Sequence, residues 1–134
     1  GADLHAWAVP IGLTNTTTRA QLALAAHDGV LCGLLNGVDA LRQVGATIGG
    51  RVFLIGGGSR SVAYRQRCAD LLGQTITVPD SDETVAAGAA VQAAAITNGE
   101  PLGVISQRWQ LGVGTDVTPQ SDGSAIRQRY ATLS

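Results

Sequence analysis

Residues 51–74 read RVFLIGGGSRSVAYRQRCADLLGQ. A β-branched and aromatic run, Val52 to Ile55, meets three consecutive glycines, Gly56 to Gly58, and a helical pattern follows at once. A strand that feeds a glycine turn and then a helix N-terminus gathers free backbone N–H groups and the positive end of the helix dipole at one point. A nucleotide is the ligand class that such a point suits. The stretch therefore predicts an α/β fold and makes Gly56, Gly57, Gly58, Ser59 and Ser61 the candidate cofactor-binding residues.

Upstream, Thr16, Thr17 and Thr18 offer helix N-caps, and the pattern from Arg19 to about Val44 is helical. At 100° per residue, Leu22, Ala26, Val30, Leu34, Val38 and Leu41 share one arc, which is the expected core face. Gln21, Asp28, Asn36, Asp39, Arg42 and Gln43 fall on the opposite, solvated arc. Gly29, Gly33 and Gly37 recur at the edge of the apolar arc and suggest close approach of another backbone. Gly45, Gly49 and Gly50 end this helix, and Arg51–Ile55 is the first strand.

Downstream of the turn, a helix is expected over 61–72, stopped by Gly73, and a short strand over 75–78, closed by Pro79. An alanine-rich helix over 83–96 opens on Asp80, Asp82 and Glu83 and ends at Asn98-Gly99 and Pro101. Residues 99–121 show no clear period, and Asp122 is placed to cap a last helix through Tyr130. The order of helices and strands implies a parallel sheet with right-handed crossovers. Trp7, Trp109 and Tyr130 are expected to cover the ends of the core.

The 134 residues make about one domain, with alanine and glycine dominant and few large rings. Net charge is −1, from nine arginines, no lysine and ten acids. That balance gives no electrostatic footprint for nucleic acid or an acidic membrane. There is no secretory signal pattern and no apolar run of membrane-spanning length, so a cytoplasmic location is expected. Cys32 and Cys68 sit inside expected helices without metal-ligand spacing and read as small buried residues. The absence of methionine leads to the expectation of a fragment or processed product.

Two nucleotide readings fit the turn. Gly56-x-Gly58-x-x-Ser61 with Asp80 after the next strand loosely mimics a dinucleotide-binding fingerprint, which would make the chain part of an oxidoreductase. A serine at the last position and a long helix ahead of the turn weaken that fit. A non-catalytic nucleotide-binding module is a further alternative.

The other reading is a resemblance. LIGGGSRSVAYRQRCADLLGQ followed by VPDSDETVAAGAAVQAAAI is similar to the C-terminal half of FGGY-family carbohydrate kinases, and TTTRAQLALAAHDGVLCGLLNGVDALR is similar to that family's long helix region. The three blocks cover residues 11–97 in matching order and spacing. The resemblance implies a ribonuclease-H-like, actin-like ATPase C-terminal domain, with a partial, parallel-rich sheet flanked by helices. Residues 1–134 would be one truncated nucleotide-binding domain, with 99–134 a less clearly placed tail. Three glycines, a small residue, Arg and Ser match best the members that phosphorylate the ketopentose D-xylulose.

By the same resemblance, the cofactor is ATP with Mg2+, and the adenosine portion packs on the glycine turn. Gly57 matches an adenine-contacting glycine, and Ser61 stands where glycerol-phosphorylating members carry an adenine-binding asparagine. Gly88, Ala89 and Ala90 match a small-residue helix that closes the pocket from below. No catalytic residue is assigned within the chain. The sugar contacts, the catalytic aspartate, the phosphate loops and the metal ligands are implied to lie outside it, with an N-terminal kinase domain as partner. The isolated chain is expected to be inactive. Missing strands would leave an open sheet edge, prone to aggregation, homo-oligomer formation or pairing with another chain.

Other polar residues have structural readings. Ser61 doubles as an N-cap. Arg65 projects with Val62, Ala69 and Leu72 and is expected to pair with a carboxylate, while Arg60 is a solvated or rim charge. His27 is expected to be a satisfied interior histidine, and Asp28 a surface or domain-interface charge. Asp70 is expected to hold a neighbouring backbone or arginine, and Glu83 to be a first-turn carboxylate.

Overall fold

The computed structural model describes residues 12–81 and 83–133, so Trp7 and Asp82 lie outside the described residues. Thr18 starts the long helix α1 (Arg19–Gln43) with a capping box. Its Oγ1 accepts from the Gln21 N–H at 3.2 Å, and Gln21 Oε1 accepts from the Thr18 N–H at 2.9 Å. Strand β1 (Val52–Phe53) is shorter than the run suggests, although the Leu54 N–H still reaches the Thr77 carbonyl at 3.0 Å. Helix α2 (Val62–Leu72) begins on the Ser61 cap and ends on Gly73 in the left-handed conformation. Strand β2 (Ile76–Pro79), helix α3 (Thr84–Asn98), helix α4 (Leu102–Arg108), strand β3 (Gly114–Val117) and helix α5 (Ser124–Leu133) complete the order.

The three strands form one sheet in the order β1-β2-β3. β1 and β2 are parallel, with Val52 opposite Ile76. β3 joins antiparallel, with Val117 opposite Ile76 and Asp116 opposite Thr77. The central strand buries Ile76, Thr77 and Val78 in succession, as a strand covered on both faces does. Thr77 satisfies its hydroxyl by donating to Asp116 Oδ1 at 2.7 Å. β3 and α4 both lie where the sequence shows no period.

The core gathers Leu31, Cys32 and Leu35 of α1, Cys68, Ala69 and Leu71 of α2, and Ile76 of β2, with Tyr130 and Ile126 of α5 against it. This corrects the expected face of α1. Leu22, Ala26, Val30, Leu34 and Leu41 are exposed, while the face carrying Asp28, Leu31, Leu35 and Asp39 turns to α2 and α5. The two aspartates do not disqualify that face because each is neutralised across it. Arg67 grips Asp28 through Nε at 2.5 Å and Nη2 at 2.7 Å, and Arg127 of α5 pairs with Asp39. Asp28 is thus an interhelical clamp and not a surface charge. The arginine that finds a carboxylate is Arg67, not Arg65, whose Nε is buried without a hydrogen-bond partner among the described residues.

Residues 118–123 are fastened to α2 by Asp70. Its carboxylate accepts from the Gln120 N–H at 2.7 Å, the Ser121 hydroxyl at 2.7 Å and N–H at 3.3 Å, and Gln66 Nε2 at 3.0 Å. Gly123 follows at a contact so close that a Cβ would lie 2.7 Å from the Asp70 carbonyl oxygen and Leu71 Cα. Asp122 then accepts the Ser124 N–H at 2.9 Å as α5 begins. α3 packs against α4, and each buries one large apolar residue, Val91 and Ile105. No helix among the described residues is long and apolar enough to cross a membrane.

Candidate functional site

The turn after β1 is built from backbone geometry that its sequence permits. Gly56 has φ 94° and ψ 180°, a region essentially closed to residues with a Cβ. Gly57–Arg60 form a single 3-10 turn, in which the Ser59 N–H and hydroxyl both donate to the Gly56 carbonyl, at 3.1 and 2.7 Å. Ser61 then turns the chain into α2, its Oγ accepting from the Tyr64 N–H at 3.3 Å.

The five candidate residues divide into two sets. Gly56, Gly57 and Ser59 line a groove of about 110 Å³, together with Arg60, Ser81 and Thr84. Space beside Gly56 and Gly57 is open. Gly58 faces backwards instead, and a Cβ there would sit 2.9 Å from the Tyr64 ring. Ser61 does not line the groove and works as the helix cap. The Tyr64 and His27 rings also meet at right angles, their centres 5.2 Å apart, which places His27 of α1 behind the turn, against α2.

A wider cleft of about 610 Å³ adjoins the groove and shares Ile55, Pro79, Ser81 and Thr84 with it. Gly88 and Ala87 of α3 line this cleft, whereas the exposed Ala89 and Ala90 do not. Its far side is Trp109 and the turn through Val113. The sequence reading missed that side because 99–121 lack periodicity; the signal available was a tryptophan two residues before a leucine-glycine turn, Leu111-Gly112. Among the described residues, no three His, Cys, Asp or Glu side chains gather as a metal site. Burial raises the pKa of Cys32 and Cys68, so both thiols stay protonated at neutral pH, and neither is in a disulfide.

A dinucleotide fingerprint fits this geometry poorly. Its third small residue should let helix and strand approach, but Ser61 serves as a cap, and the described sheet is a three-stranded mixed one. Comparison with known proteins decides between the readings. The model of the FGGY family of carbohydrate kinases, C-terminal domain, matches residues 1–96. The chain belongs to the FGGY family.

Its relatives include a xylulose kinase of Streptomyces coelicolor, 37% identical over 122 residues that cover 91% of this chain and 24% of that protein. A xylulose kinase of Streptomyces rubiginosus is 39% identical over 103 residues, 77% of this chain and 21% of that protein. The crystal structure of xylulose kinase from Bifidobacterium adolescentis superposes with a TM-score of 0.64 at 34% identity, covering 90% of this chain and 23% of that one. The FGGY chain thus spans about a quarter of the length of the relatives it matches. It has the actin-like ATPase fold of a carbohydrate-kinase C-terminal domain, and xylulose kinases stand among its similar proteins.

Proposed function

We propose that this chain is the ATP-binding part of a kinase that phosphorylates a ketopentose, D-xylulose foremost. The observation that carries the reading is the family match over residues 1–96, which includes the glycine turn and the helices on either side of it. The groove beside Gly56, Gly57 and Ser59 supports it, since a bound nucleotide can approach the backbone there without meeting a side chain. Gly58 and Ser61 shape the turn from behind. Arg60 lines the rim of the groove, where it would contact the bound nucleotide.

Phosphoryl transfer is mostly positioning and charge stabilisation around an in-line hydroxyl. The base that accepts the sugar proton, the sugar contacts and the ligands of Mg2+ are assigned to the remainder of the kinase. One domain supplies the nucleotide and the other the acceptor, so the chain alone binds nucleotide without transferring phosphate. Calorimetric titration with ADP, ATP and NAD tests the reading. ADP and ATP should bind, and NAD more weakly. Tighter binding of NAD than of ADP would overturn it, as would D-xylulose phosphorylation by the isolated chain for the division of labour.

A further inference from the structure

The wall of the wider cleft is a built element. Trp109 ends α4 with its N–H on the Ile105 carbonyl at 2.9 Å. The chain then reverses at Gln110, whose φ of 55° is the one positive value at a non-glycine among the described residues. The Leu111 N–H on the Ser106 carbonyl and the Val113 N–H on the Gln110 carbonyl, at 2.9 and 3.2 Å, close the turn. Two further bonds pin it to the sheet side. Arg51 Nη2 donates to the Gly112 carbonyl at 2.9 Å, and the Asp80 N–H donates to the Val113 carbonyl at 3.1 Å. The Arg51 guanidinium also lies 4.8 Å from the centre of the Phe53 ring, a cation–π contact that fixes both side chains.

This pinned turn is a helix stop with its left-handed residue at Gln110, and it presents an indole that is 44% exposed, beside a cleft of about 610 Å³. Gly88 of α3 lines the same cleft, with open space where its Cβ would be. The cleft runs into the polar groove at the glycine turn through Ile55, Pro79, Ser81 and Thr84. A slot with an apolar, aromatic end and a polar, arginine-bearing end has the division of a nucleotide. Its volume is in the range of small-molecule sites.

We infer that Trp109 is the base-stacking residue of this nucleotide site and that the purine lies between the 109–113 turn and Gly88, leaving the glycine turn to the ribose and phosphates. The inference rests on the nucleotide reading above and deepens it by placing the base one cleft further from the glycines than sequence resemblance implies. Stacking on an indole is tolerant of the ring's substituents, so Trp109 sets affinity for a flat base, and the neighbouring turn sets its depth.

The chain has two tryptophans, so a Trp7→Phe background leaves Trp109 as the sole indole emitter. Saturating ADP should quench or shift its emission, and calorimetry should give an affinity for Trp109→Ala about 10- to 100-fold weaker than the parent's, with Trp109→Phe recovering most of the loss. ADP binding with unmoved Trp109 emission in the Trp7→Phe background, or with equal affinity for the parent and Trp109→Ala, overturns this role and leaves the nucleotide reading standing. No ADP binding to the parent chain overturns both. The emission arm uses the intact tryptophan, so it holds even where Trp109→Ala fails to fold.

Discussion

Replacing Asp70 by asparagine removes a charge that fastens residues 118–123 to α2, while keeping the side-chain shape. Burial by itself raises the carboxyl pKa. The Gln120 N–H, the Ser121 hydroxyl, Gln66 and the Ser121 N–H together outweigh it and hold the group at about 2, below its ordinary 3.8. A depression of that size contributes about 2 kcal/mol of folding stability at neutral pH. The folded state binds the proton less readily than the unfolded one, so this contribution is complete above the ordinary carboxyl value. It fades as pH falls from about 4 toward 2, and is gone below both values. Urea denaturation of the parent and Asp70→Asn across pH 7 to pH 2 measures it. The variant should be about 2 kcal/mol less stable at pH 7, roughly 6–10 °C in Tm, with the gap closing toward pH 2. A gap that persists unchanged at low pH, or one below about 0.5 kcal/mol at pH 7, refutes the reasoning.

The two faces of α1 should respond differently to truncation. Leu31→Ala, at a side chain 1% exposed, should cost about 2–5 kcal/mol, while Leu34→Ala, at 60% exposed, should stay within about 0.5 kcal/mol, both read from urea midpoints. Arg67→Met leaves Asp28 without its bidentate partner and should cost about 2 kcal/mol. Adding Asp28→Asn should return part of that loss in a double-mutant cycle, and strict additivity would count against the clamp. Gly56→Ala meets no steric neighbour, so its cost is backbone strain alone, about 1 kcal/mol or more by thermal melt, with ADP affinity falling as the turn shifts.

Much of this fold is readable from local signals. Ser61 and Gly73 bracket α2 through cap chemistry that needs no tertiary partner, and Gly99 ends α3 in the same way. The glycine turn is readable because φ 94° at Gly56 selects its residue. The inward face of α1 is not readable from its own pattern. That helix carries two apolar arcs, and the one chosen is decided by Arg67 and Arg127, 39 and 88 positions away from the aspartates they neutralise. The same holds for Arg65 and Arg67, which look alike on α2 until Asp28 selects one. β3 has no alternation of its own and takes its strand form from β2. The Trp109 wall depends on an arginine 61 residues before the carbonyl it holds. The sequence shows one side of the slot because that side is local, and hides the other because it is assembled from distant pieces.

Cys32 and Cys68 lie on opposite helices of the same seam, fully shielded or nearly so, and their thiols are free. A thiol reagent can reach Cys32 only when α1 lifts from its neighbours. The labelling rate of these two residues is therefore a built-in clock for the opening of the α1–α2 interface. It needs no engineered probe, and it separates motions that part the helices from those that rearrange only the cleft.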